Sequence, residues 1–185
     1  MLSNRTIIQN GWVVDDLFAA IKKWTEFYGV GPFWVSEQVV PDDVMYRGEP
    51  APLDMKVALA QAGDVQIELI QQNSDGPSAY RDQYAPGESG FHHACYSSDD
   101  FDADKALFEA AGYVAATQGS VYGGELRFAY FDTRADFGIF TEIVTPTEAF
   151  LANNQKIKDV AADWAKDGFK DPIRLNTADG GYVTP

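Results

Sequence analysis

Apolar and polar positions change period along residues 7–29. "IIQNGWVV" is an apolar run with β-branched residues at both ends, which reads as a strand. Behind it Leu17, Ile21, Trp24 and Tyr28 recur at helical spacing. Asp15-Asp16 stand where a helix N-cap belongs, and Gly29 where a left-handed stop belongs. Residues 91–113, "FHHACYSSDDFDADKALFEAAGY", repeat the plan: an extended run, Asp99-Asp100, a stripe of Phe101, Phe108 and Ala111, and a stop at Gly112. Aligning the Asp-Asp pairs sets Gln9 against His93, Leu17 against Phe101 and Trp24 against Phe108.

Strand-like material follows each unit. "GVGPFWVSEQVV" and "YVAATQGSVYG" predict one further strand each. "MKVALAQAGDVQIELIQ" predicts a hairpin turning at Ala62-Gly63-Asp64, and "LRFAYFDTRADFGIFTEIVTP" one turning near Arg134 to Gly138. Each hairpin's second strand carries one acid among apolar residues, Glu68 and Glu142. The pattern predicts an α+β fold of tandem βαβββ modules. Residues 1–72 form the first, 73–90 a Gly/Pro/Ser-rich linker with one helical turn around Tyr80 to Tyr84, and 91–146 the second. Residues 147–185 form a C-terminal helix with a stripe of Phe150, Ile157, Val160, Ala161 and Trp164. A loop tail, "NTADGGYVTP", ends the chain.

Composition narrows the function. Among 185 residues, 14 are basic and 28 acidic, for a net charge of −14, which repels nucleic acid. The single cysteine, Cys95, allows no internal disulfide and fits a reducing, cytoplasmic setting. The N-terminus lacks a signal-peptide pattern, and no apolar run is long enough to span a membrane. An aromatic content of 14% suits an aromatic-lined cavity for a small molecule as well as a core.

Both histidines of the chain, His92 and His93, are adjacent. Strand side chains alternate faces, so Gln9, Gly11 and Val13 share a face, as do His93, Cys95 and Ser97. His92 is expected on the opposite face, and the pair cannot both grip one ion. If the halves pack with twofold pseudo-symmetry, Gln9, Glu68, His93 and Glu142 converge. One amide oxygen, two carboxylates and one imidazole nitrogen suit a divalent Zn, Ni, Co, Mn or Fe ion with water completing its shell. Glu142, in apolar "GIFTEIV", needs a metal, a cation or a proton, because an unpaired buried carboxylate costs several kcal/mol.

The stretches "QNGWVVDDL", "VQIELIQ", "GFHHACYSSDDF" and "FTEIVTP" resemble the vicinal oxygen chelate superfamily across about residues 5 to 146. That superfamily includes glyoxalase I, methylmalonyl-CoA epimerase, extradiol dioxygenases and bleomycin-resistance proteins. The resemblance implies a cupped mixed sheet around a cavity, with Gln9, Glu68, His93 and Glu142 as metal ligands. It implies an isomerase or lyase that moves a proton next to a carbonyl through an enolate or enediolate. Glu142 would act as base and Glu68 as its opposite-face partner. Lys56 falls near the epimerase's second-base position and would pair a substrate carboxylate; Arg127 and Tyr130 lie on the matching strand. Tyr130 stands at the same offset from Lys56 as Glu142 from Glu68, and Trp34 is a candidate pocket wall. An apolar or aromatic carbonyl compound and a homodimer are expected. A dioxygenase and a ligand-sequestering protein remain alternatives, the first weakened by Gln9 where a second His is needed.

Overall fold

The structure is a computed structural model that describes residues 6–164, 166–177 and 181–184. The expectations for residues 1–5, for 165 and for 178–180 and 185 of the tail lie outside these. The chain is a mixed α+β protein built on one large mixed sheet, with a helical C-terminal region. In the first half β1 (Ile7–Val13) leads to α1 (Leu17–Lys23), β2 (Phe33–Val39), a small hairpin of β3 (Asp42–Tyr46) and β4 (Glu49–Pro50), then β5 (Met55–Ala62) and β6 (Val65–Gln72). A short α2 (Ala79–Gln83) lies between the halves. The second half is β7 (Gly90–Ser97), α3 (Phe101–Ala110), β8 (Ala115–Val121), β9 (Leu126–Phe131), α4 (Arg134–Phe137) and β10 (Phe140–Val144). Then come α5 (Glu148–Trp164), β11 (Ile173–Asn176) and β12 (Tyr182–Val183).

The local signals act as the pattern requires. Asp16 accepts from the Ala19 amide and Asp100 from the Ala103 amide, so each Asp-Asp pair caps its helix with its second member. Gly29 takes the left-handed conformation at φ 66. Between α1 and that glycine, Trp24–Tyr28 form a π-helical turn, which changes the period and leaves Tyr28 exposed, outside the buried stripe. Leu17 and Ile21 pack on Ala58, Ala60, Ile67 and Leu69 of one half-sheet. Phe101 and Phe108 pack on Ala129, Phe131 and Ile143 of the other.

The strand order is β12-β11-β2-β5-β6-β1-β7-β10-β9-β8-β3-β4. Its centre is twofold in pattern. β1 and β7 run antiparallel side by side, with β6 parallel to β1 and β10 parallel to β7. Both halves therefore meet within one chain. Only Val40 and Pro41 separate β2 from β3, yet these two strands lie near opposite margins of the sheet. Three residue steps span at most about 11 Å. The sheet must therefore curl until its margins almost meet, which makes a cup. Val13, Met55, Ile70, Tyr80, Phe128 and Phe140 fill one end of the concave side. α5 lies across the other. Within the tail expected as loop, Tyr182–Val183 form β12, which pairs with β11; β11 ends at the tail's first residue, Asn176, and pairs with β2. Among the described residues no helix is long and apolar enough to cross a membrane.

Candidate metal and ligand site

Four central strands present the candidate residues. Across β6, β1, β7 and β10 one row holds Glu68, Gly11, His93 and Phe140, and the next holds Gln66, Gln9, Cys95 and Glu142. His93 Nε2 lies 3.3 Å from Glu68 Oε2 and 3.2 Å from Glu142 Oε2. Ligand atoms about 2.1 Å from one cation stand about 3.0 Å apart at right angles and about 3.4 Å apart at the tetrahedral angle. Both His93 separations fit a shared ion, the three ligand atoms lie within 4.8 Å of one another, and all three are buried without a hydrogen-bond partner.

The two relevant bulges fall at matching places. Ile7 and Gln9 pair with the adjacent Tyr96 and Cys95, so Ile8 is extra; Gly11 and Trp12 pair with His93 and Phe91, so His92 is extra. This corrects the expected alternation. The bulge re-aims His92, whose Nδ1 lies 3.0 Å from His93 Nδ1 rather than on the opposite face. His92 Nε2 lies 3.0 Å from the Ala79 carbonyl on α2, and its ring stacks on Phe140.

That chain of contacts dictates where the protons sit. A carbonyl only accepts, so His92 Nε2 carries a proton and donates it. Burial and the neighbouring His93 hold the His92 pKa far below its ordinary range, so the ring is neutral and its Nδ1 accepts. His93 must then donate from Nδ1. Its Nε2 is left facing two carboxylates, with room for one positive species, a proton or a metal. In the metal-free chain the proton takes it. Burial opposes the charged ring, but Glu142 and Glu68 outweigh it and raise the His93 pKa to about 9. Burial foremost, with Glu142 adding, also raises the pKa of Glu68, against the pull of His93.

The imidazole needs space that only Gly11 provides. A methyl group built on Gly11 would overlap the His93 ring. Gln9 is held differently. Its Nε2 donates to Gln66 Oε1 at 2.8 Å, and Gln66 Nε2 donates to Asn154 Oδ1 of α5 at 3.1 Å. With its nitrogen so used, Gln9 has its amide oxygen to offer the cavity it lines.

The cavity beside these groups measures about 550 Å³. Gln9, Glu68, Cys95, Tyr130 and Glu142 form its polar end, with Met55, Val57, Leu59 and Phe128 as apolar wall. Tyr130 stands with its ring centroid 5.0 Å from that of His93, and the Tyr80 hydroxyl bonds its hydroxyl at 3.1 Å. Burial, more than any neighbour, raises both phenol pKa values, so both stay protonated.

Three expected substrate contacts are not brought to this cavity. Lys56 faces the helix side of β5, with its ammonium 5.8 Å from the Phe18 ring. Arg127 faces α3, bonds Asp102 at 2.7 Å and lies over Phe101. The sequence offset failed because Tyr130 pairs with Glu142 while Leu59, not Lys56, pairs with Glu68. The connection holding α4 is longer than the tight β5–β6 turn by an odd number of residues, which flips the faces. Trp34 is on the concave side but covered, by Lys156 at 4.6 Å and by Tyr182. Tyr80, Gln66 and Asn154 were not anticipated. The helical turn expected around Tyr80 was the one signal available for them.

Residues 8–131 match the family model described as the glyoxalase/bleomycin resistance protein/dioxygenase superfamily. No curated protein sequence matches. Solved structures that are similar include a hypothetical protein from Bacillus halodurans C-125, at 16% identity and TM-score 0.54, covering 79% of this chain and 97% of that one. Methylmalonyl-CoA epimerase from Mycobacterium tuberculosis is similar at 18% identity and TM-score 0.54, covering 82% and 97%. A Streptomyces coelicolor methylmalonyl-CoA epimerase in complex with 2-nitronate-propionyl-CoA is similar at 21% identity and TM-score 0.50, covering 77% and 95%. Identities this low carry the fold and not the substrate.

Proposed function

We propose, for a chain that belongs to the glyoxalase/bleomycin resistance protein/dioxygenase superfamily, an enzyme that moves a proton at a carbon next to a carbonyl. Its substrate would be a small molecule with an apolar or aromatic body. His93, Glu68 and Glu142, with the amide oxygen of Gln9, would hold one divalent cation. The observation that carries this reading is the cluster of three buried ligand atoms, from His93, Glu68 and Glu142, within 4.8 Å of one another and with no hydrogen-bond partner. A divalent ion there supplies Lewis-acid charge for a substrate carbonyl oxygen. The residues supply the rest. Glu142 and Glu68 come from strands on either side of His93, and each would take a proton from one face of a bound carbon. In the metal-free chain burial holds the Glu68 pKa above that of a free carboxylate. Tyr130 and Tyr80 would orient the substrate oxygen and keep water out.

The dioxygenase alternative is disfavoured. It needs two histidines on one metal face, and His92 uses both ring nitrogens on Ala79 and His93. A purely sequestering protein has no use for such a cluster of three unpartnered ligand atoms. A cytoplasmic homodimer is part of the same proposal, although every residue of the site comes from one chain. The deciding experiment is metal analysis of purified protein. About one divalent ion per chain is expected, and His93→Ala should lose it while keeping its circular dichroism spectrum. Equal metal in both proteins would overturn the reading.

A further inference from the structure

The geometry points to a ligand that carries no charge beyond the oxygens it presents to the metal centre. This rests on the reading above in taking the cavity as the ligand site, and the metal enters only the charge balance at its polar end. None of the described residues that line the cavity is Lys, Arg or His, while Glu68 and Glu142 are acids. The cations around it are engaged by other groups. Lys56 lies against Phe18, Arg127 holds Asp102, Lys156 covers Trp34 and Lys158 holds Asp64. Arg47 and Arg134 both bind Asp132, in a network with Asp82 that ties β3 and α2 to the second half.

The charge balance at the centre follows. A divalent cation shared by two carboxylates leaves no surplus positive charge for a second anionic group. A carboxylate, sulfonate or phosphate drawn into this cavity would lose its water and gain no counter-charge. The surrounding net charge of −14 opposes it further. The phosphates of a coenzyme A ester, such as the 2-nitronate-propionyl-CoA that a solved epimerase of this fold holds, would meet no basic residue among those that line this cavity.

The mouth states what does suit it. Phe150, Asn153 and Asn154 of α5 line the cavity, as do Gln38 and Val39 of β2. Asn154 accepts from Gln66 through Oδ1, which leaves its NH₂ as a donor. Asn154, two hydrogen bonds from Gln9, thus offers its NH₂ to a neutral acceptor, such as a carbonyl, ether or hydroxyl, on an apolar body. A cavity of about 550 Å³ holds a molecule of ordinary drug size.

Two matched probe pairs test this. On zinc-loaded protein, octanohydroxamic acid is compared with the monohydroxamic acid of suberic acid, in which a carboxylate replaces the terminal methyl group. On metal-stripped protein, neutral N-phenyl-1-naphthylamine is compared with 1-anilinonaphthalene-8-sulfonate. The neutral member of each pair is expected to bind at least about thirtyfold tighter. Asn153→Lys, which places a cation at the mouth, should narrow both gaps. Equal binding of a charged member in either pair overturns the inference, as does binding of no probe at all. Hydroxamates that fail to bind, beside an intact preference for the neutral dye, remove the metal reading and leave this one standing.

Discussion

β1 and β7 occupy matching places beside the pseudo-twofold axis, and they use the same backbone for different ends. Each carries a bulge at one residue and a donor at the next, Ile8-Gln9 and His92-His93. Each donor faces a small residue of the other strand, Cys95 opposite Gln9 and Gly11 opposite His93. The difference is bulk and rigidity. A flexible amide tolerates a thiol across from it, whereas a planar imidazole lying across the neighbouring strand tolerates no side chain. Each donor is also oriented from outside its own strand. His93 is set through His92 by the Ala79 carbonyl of α2, and Gln9 through Gln66 by Asn154 of α5. The duplicated halves provide symmetry; the two helices outside them provide the asymmetry of the site.

The sharpest way to break this comparison is to exchange the small residues. Gly11→Ala forces the new methyl group into the His93 ring and should cost about 3 kcal/mol of stability, the range of overpacked cores. Metal content should fall with it. Cys95→Ala, at the matching position, removes one buried sulfur and should cost about 1 kcal/mol. Urea midpoints of the two variants decide it, and equal losses would mean that the donors are not held differently.

A second test uses pH on the metal-free protein. His93 has a folded pKa of about 9 against an ordinary 6.5, so its protonated form is stabilised by folding. That contribution is fully present below about 6.5 and is lost as pH rises through about 9, a loss of about 3 kcal/mol. Glu68, also raised, penalises the ionised site in the same direction. With chelator present, the protein should be clearly less stable at pH 10 than at pH 6. His93→Gln should flatten that slope, while Gln9→Ala should leave it.

The comparison also shows what a single sequence reveals. Caps and stops are local, so Asp16, Asp100 and Gly29 announced the repeat, and the repeat paired Gln9 with His93 and Glu68 with Glu142. The offset held where the strands lie next to the axis. It broke across the β9–β10 connection, where loop length flips the faces, and Lys56 was placed in the cavity on that account; Arg127, three residues before Tyr130, falls on the opposite face by alternation. Alternation misplaced His92, because a bulge leaves no mark in apolar periodicity. Tyr80, Gln66 and Asn154 enter through docking of α2 and α5 on the cup, and the same docking covers Trp34. Such contacts join residues distant in sequence and have no local signature.

The finest test concerns His92 itself. His92→Phe keeps a flat ring against Phe140 but removes both nitrogens, so His93 Nδ1 loses its acceptor and the Ala79 carbonyl its donor. Metal affinity should fall about 10–100-fold, the usual cost of losing such an orienting partner. Misfolding would give a similar loss, so a second readout is needed. The chain has only two histidines, which makes a long-range ¹H–¹⁵N spectrum simple to assign. In zinc-loaded wild type His92 should carry its proton on Nε2 and His93 on Nδ1. The opposite pattern on either ring would break the proton chain and, with it, the claim that α2 orients the nitrogen of one half while α5 orients the oxygen of the other.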